Sequence, residues 1–156
     1  MLNVLRNIAV AAATMAVLAG GVQAAGMEKP VAARQAVMKL NSFYMGQLGG
    51  MAKGKMAYNA KTAQGAANGL LALARLDTSG MWLKGSGNDM LGKAMTRAKP
   101  EIWSTYPEVA KKSKALKAAL ENLVTVAGSG IEGLRGAIGA VGKGCGGWHK
   151  PFREKK

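Results

Sequence analysis

Residues Ser104 to His149 read STYPEVAKKSKALKAALENLVTVAGSGIEGLRGAIGAVGKGCGGWH, and the break in their middle decides the fold. Before it, Val109, Leu116, Leu120, Leu123 and Val124 form an apolar stripe at helical spacing, and Lys111, Lys112, Lys114 and Lys117 cover the outer face. That pattern predicts a helix from about Ser104 to Ala127, ended by Gly128-Ser129-Gly130. Ser129 and Glu132 then have capping-box spacing, so a new helix is expected, running to about His149 with Ile131, Leu134, Ile138 and Val141 on its buried face. Gly130, Gly133, Gly136, Gly139 and Gly142 fall in it at three-residue steps. Each interior Gly costs roughly 1 kcal/mol against Ala, so packing or a ligand must hold this helix together.

Upstream, Val31, Arg34, Met38, Met45 and Leu48 recur at helical steps and predict a helix from about Pro30 to Ala57, with Pro30 near its first turn. A further helix is expected from about Ala60 to Leu76, capped by Asn59 and stopped by Asp77-Thr78-Ser79-Gly80. Between it and Ser104 lie about 27 residues without a clean period, and loops of that length are often functional. No stretch reads convincingly as strand. The expected fold class is all-α, an antiparallel left-handed four-helix bundle.

The first 25 residues read as an export signal. Arg6 supplies a basic start, Ile8 to Ala19 an apolar run too short to span a bilayer, and Val22-Gln23-Ala24 the small residues of a cleavage site. The expectation is therefore a cleaved signal peptide over residues 1–25 and one bundle domain over residues 26–156, placed in the periplasm, with no transmembrane segment in the mature chain.

Scarcity narrows the chemistry. The chain of 156 residues has one Cys and one His, which excludes an intrachain disulfide, an all-Cys metal site and a multi-histidine centre. Its eight carboxylates are spread thinly, and no acidic pair stands out for acid–base catalysis, so an enzyme is not expected. Yet Cys145 and His149 are four residues apart, in Cys145-Gly146-Gly147-Trp148-His149. Cys-x-x-Cys-His is the signature of covalent c-type haem attachment, and here Trp148 stands at the second Cys.

Several further motifs carry a resemblance. Arg34-Gln35 followed by Met38, Trp82-Leu83-Lys84-Gly85-Ser86, Thr96-Arg97-Ala98-Lys99-Pro100-Glu101-Ile102-Trp103-Ser104, and His149-Lys150-Pro151-Phe152-Arg153 occur in the order found in the cytochromes c′. From Val31 to Arg153 the chain resembles that family of exported four-helix haem proteins. The resemblance implies haem c, with Cys145 as its thioether and His149 as the axial iron ligand. It implies Arg34, Gln35 and Ser86 near the haem propionates, Met38 over the distal face, and Arg153 on the proximal side. Gly87 stands where the family is often acidic. It also implies small gas ligands such as nitric oxide or carbon monoxide, one-electron transfer, and a homodimer through the first two helices. With Trp148 unable to form a thioether, three outcomes stay open: singly attached haem, haem held without a covalent bond or poorly loaded, and a copy that has lost haem.

The net charge is +14 over the whole chain, from 22 Lys and Arg against 8 Asp and Glu. The basic residues are scattered through every helix and are not interleaved with aromatics, so nucleic acid is not an expected partner. A basic surface suits acidic redox partner proteins. The alternative function is a haem-free cationic bundle that binds anionic surfaces or partner proteins. Gly142-x-Gly144-x-x-Gly147 lacks the flanking strand of a dinucleotide site and is set aside.

Overall fold

In the computed structural model, residues 2–155 are described, with side chains for residues 26–155. The export-signal expectation for residues 1–25 falls outside the described side chains. Six α-helices follow in chain order: α1 (Leu2–Ala52), α2 (Ala60–Arg75), α3 (Asn88–Met95), α4 (Glu101–Ser104), α5 (Tyr106–Val126) and α6 (Ile131–Phe152). A single 3₁₀ turn, Ser79–Met81, precedes α3. The described residues form no strand, only an isolated antiparallel bridge between Ala98 and Arg153.

The four long helices close a ring in which α1 packs on α2, α2 on α5, α5 on α6 and α6 on α1. This is the expected antiparallel four-helix bundle. Its core holds Leu48, Met51, Leu70, Leu123, Leu134 and Val141, all essentially inaccessible to water. Burying each such side chain stabilises the fold by about 1.5–3 kcal/mol. Small residues let α2 approach closely, since Ala63, Ala66 and Ala67 make up much of its buried face. A second, smaller core lies at one end, where Ala98, Ile102 and Phe152 are surrounded by Trp82, Trp103, Val109 and Trp148.

Helix ends agree with the sequence in part. The Asn59 side chain accepts a hydrogen bond from the Thr62 N–H at 2.8 Å and caps α2 as expected. α1 stops at Ala52, five residues early, because Gly54 takes a left-handed conformation (φ +68°) and the Lys55 N–H reaches back to the Gly50 carbonyl at 2.9 Å. Pro30 lies inside α1 and does not begin it. The capping box is not formed. Gly130, at φ +138°, occupies the cap position of α6, and Glu132 instead accepts from Arg135 at 2.7 Å. Tyr58 secures that corner: its hydroxyl donates to the Ala127 carbonyl at 2.8 Å and accepts from the Gly130 N–H at 3.0 Å.

The glycines of α6 divide into two sets. A Cβ on Gly133 would lie 2.8 Å from the Val126 carbonyl oxygen, and one on Gly144 would lie 3.0 Å from Leu116 Cδ1. These two glycines allow α5 and α6 to approach. By contrast, Gly136, Gly139, Gly142, Gly146 and Gly147 face open space.

The long central connection is not structureless. It contains the 3₁₀ turn, α3 interrupted at Gly92 (φ +75°), and α4. Its end is zipped to the C-terminal segment, with the Lys99 N–H bonded to the Phe152 carbonyl (3.0 Å) and the Glu154 N–H to the Arg97 carbonyl (2.8 Å).

Candidate functional site

Helical geometry places residues four apart on one face, so Cys145 and His149 share a side of α6. Both open onto a cavity of about 860 Å³ enclosed by α1, the central connection and α6. Its walls include Arg34, Gln35, Met38 and Met45 from α1, Trp82 and Met95 to Ala98 from the connection, and Gly142, Cys145, Trp148, His149, Phe152 and Arg153 from α6. Its volume lies within the 300–1,000 Å³ usual for ligand sites.

Six of the seven residues singled out from the sequence therefore line one cavity: Arg34, Gln35, Met38, Cys145, His149 and Arg153. The seventh, Ser86, is fully buried behind the wall and bonded to Arg34. Arg34 is itself only 3% exposed. Its Nη1 donates to Ser86 Oγ at 2.6 Å and to the Met81 carbonyl at 3.3 Å, and its Nη2 donates to the Ser86 carbonyl and to Thr96 Oγ1 at 2.9 Å. The guanidinium also lies 4.7 Å from the Trp82 ring centroid. Burial lowers its pKa from the ordinary value, but a guanidinium stays charged in a protein. Gln35 bonds the same connection, its Nε2 donating to the Met95 carbonyl at 2.9 Å.

His149 is half-buried, and its pKa is lowered first by burial and then by the charges of Arg153 and Arg97. All three causes favour the neutral imidazole, the form that binds a metal. Burial raises the pKa of Cys145, which keeps it a thiol near neutral pH. Trp148 packs edge-on against Trp82, Phe152 and His149, with ring centroids 5.7, 5.5 and 5.8 Å apart. Trp148 is thus an aromatic wall of the cavity. Met38 is 39% exposed at the cavity's edge, a position its core-like spacing did not reveal. Thr96, Arg97, Lys39 and Met45 also belong to the walls or their support. Arg97 and Thr96 were visible only as part of a family-like motif, because an irregular loop gives no periodicity to read.

The donor set fits a porphyrin. One thiol and one neutral imidazole lie a turn apart, apolar Met, Trp and Phe side chains flank them, and Arg34, Lys39, Arg97 and Arg153 line the cavity with no carboxylate among them. Fold and site together define a class: helical bundles whose cationic and apolar cavity, with one thiol and one imidazole a turn apart, suits a large anionic planar cofactor. Among the described residues no group of three or more metal-ligating side chains competes with this arrangement.

Comparison with known proteins narrows the class. A family model described as Cytochrome C′ matches residues 29–153. The cytochrome c′ of Cereibacter sphaeroides is 36% identical over 146 residues, covering 93% of this chain and 96% of that one. A solved cytochrome c′ from Rhodobacter sphaeroides is similar with a TM-score of 0.79 and 34% identity, over 83% of this chain and 98% of that one. A variant cytochrome c prime from Alcaligenes xylosoxidans, solved as its nitric oxide complex, is 27% identical with a TM-score of 0.71, over 83% of this chain and 97% of that one. The chain belongs to the cytochrome c′ family, whose members carry haem c.

Proposed function

We propose that the chain carries haem c through a single thioether at Cys145 with His149 as axial ligand, and that it serves one-electron transfer or the binding of small neutral gases. The observation that carries this reading is the convergence of Cys145, His149 and Met38 on one cavity that has cationic and apolar walls and no acid. When bound, the haem supplies a one-electron couple and a coordination position for a small gas. The protein's own part is to hold and shield. Cys145 would hold the haem through its sulfur, His149 would offer its neutral nitrogen to the iron, and Met38, at the cavity's edge, would help keep water and larger ligands out. The role proposed is binding and electron transfer, not substrate turnover.

The proposal extends to context. Residues 1–25 direct export to the periplasm. The basic surface attracts acidic redox partner proteins, with steering that weakens as salt rises. The exposed Leu40 and Phe43 on α1 form a self-association face for a homodimer. A solved cytochrome c′ that matches this chain is described by its ligand-controlled dimer dissociation.

Mass spectrometry and a visible spectrum of the exported protein test the proposal. A haem-sized increment that survives denaturation supports single attachment, and a Soret band without it supports non-covalent haem. With neither, the haem-free cationic bundle becomes the correct reading. His149→Ala should abolish the native ferric spectrum, and Met38→Ala should speed carbon monoxide binding; unchanged kinetics would remove Met38 from its distal role.

A further inference from the structure

A second cavity, of about 480 Å³, adjoins the first. Trp82 and Trp148, edge-on with ring centroids 5.7 Å apart, line both and form a wall shared between them. Trp103 from α4 and Tyr106 from the first turn of α5 complete an aromatic lining, so all three tryptophans of the chain meet here. The Trp103 ring is fixed in place, because its Nε1–H donates to the Trp82 carbonyl at 2.8 Å. Tyr106 is 68% exposed and stands at the mouth.

The charge of this cavity is the reverse of its neighbour's. Among the described residues Asp77 is the only charged side chain that lines it, whereas the larger cavity is lined by Arg34, Lys39, Arg97 and Arg153. Five of the eight carboxylates of the chain hold ion pairs: Glu101, Glu108, Glu121, Glu132 and Glu154. Asp77 is not one of them. Its Oδ1 accepts from the Ser79 N–H at 2.9 Å, and its hydrogen bonds with Ser79 hold its pKa below the usual carboxylate value. It is therefore an ionised carboxylate with a fixed position, beside aromatic rings.

Aromatic faces attract cations, and Trp82 already does so, with the Arg34 guanidinium 4.7 Å from its ring centroid. A primary ammonium is a compact, strongly hydrated charge. A methylated ammonium spreads its charge over apolar methyl groups, gives up less hydration, and buries those groups against the rings. An anion would be turned away by Asp77.

We infer that this second cavity binds a small methylated ammonium compound, its head against Trp103, Tyr106 and Trp148 and its charge balanced by Asp77. The site does not depend on the haem reading.

The purified full chain is titrated by calorimetry with choline, and with the uncharged alcohol in which a carbon atom replaces the choline nitrogen. Choline should bind at one site per chain, about tenfold tighter than the alcohol or better. Asp77→Asn, which keeps the acceptor for the Ser79 N–H, should weaken choline about threefold to tenfold and leave the alcohol unchanged. Tyr106→Leu, which keeps apolar bulk but removes a ring, should weaken choline by a similar factor. Both positions are exposed, so both variants should melt with the unsubstituted chain by circular dichroism, which separates loss of the site from loss of the fold. Absence of saturable choline binding, equal affinity for the alcohol, or unchanged choline affinity in Asp77→Asn or in Tyr106→Leu overturns the assignment.

Discussion

Replacing Trp148 by Cys separates what the aromatic ring does for the fold from what a second thiol would do for the cofactor. The ring makes three edge-to-face contacts, with Trp82, Phe152 and His149. Such pairs contribute about 0.5–1.5 kcal/mol each, and the sum, reduced because Trp148 is half-buried, is roughly 2–3 kcal/mol. For a domain near 150 residues each kcal/mol moves Tm by about 2–4 °C. The haem-free Trp148→Cys chain should therefore melt about 5–10 °C below the unsubstituted one by scanning calorimetry. In the haem-loaded protein the introduced thiol lines the cavity and adds to the second vinyl group. Peptide mass spectrometry should then find both sulfurs joined to the porphyrin, and the reduced absorption bands should move to shorter wavelength as the last conjugated vinyl is saturated. An unchanged Tm in the haem-free chain would refute the claim that Trp148 organises this end of the bundle. A free introduced thiol beside a Cys145-bound haem would refute its placement against the porphyrin edge.

Further outcomes follow from the same geometry. Gly133→Ala should lower stability by about 1 kcal/mol or more, since the added methyl meets the Val126 carbonyl at 2.8 Å, whereas Gly139→Ala, facing open space, should raise it by up to about 1 kcal/mol. Urea midpoints compare the two, and a stabilised Gly133→Ala would contradict the close approach of α5 and α6. Arg34→Gln should cost about 3 kcal/mol, because hydrogen bonds to a charged donor contribute about 1.5–3 kcal/mol each and are not additive. Hydrogen exchange should accelerate in residues 77–103, and protection equal to that of the unsubstituted chain would deny the clamp. In the haem-free protein, Cys145 should alkylate more slowly than a free thiol at pH 8 and catch up only at higher pH, because burial raises its pKa and depletes the thiolate. Reaction as fast as a model thiol would contradict that burial.

The bundle was legible because its information is local and repeated. The Leu120, Leu123, Leu134 and Val141 positions on the α5–α6 stretch announce buried faces at helical spacing, and they are buried. Asn59 could be read as a cap for the same reason, since its partner is three residues away. The capping box at Ser129 and Glu132 misled because Gly130 can adopt a conformation closed to other residues, and because Tyr58, 72 positions away from it, satisfies the corner. The site was legible only where it lies on helices. Cys145 and His149 follow from one turn of α6, while the hold of Arg34 on Ser86 and Thr96 spans 52 and 62 residues of sequence and leaves no periodic trace. Met38 illustrates the limit in the other direction. Its spacing is that of a core residue, but it stands at a cavity's edge.

The division of glycines on α6 bears on the order in which the protein is made. Seven glycines in 22 residues weaken this helix by roughly 6–7 kcal/mol relative to alanine, and only two of them are repaid by close packing on α5. The segment carrying Cys145 and His149 is therefore glycine-rich and weak as a helix on its own, and it would take shape against α1, the central connection and α5. Before that, the thiol and imidazole would lie on an open, pliable segment, accessible to whatever would join the proposed haem to Cys145. Bond formation followed by docking would make maturation a one-way latch, with assembly of the bundle as the step that closes over the finished attachment.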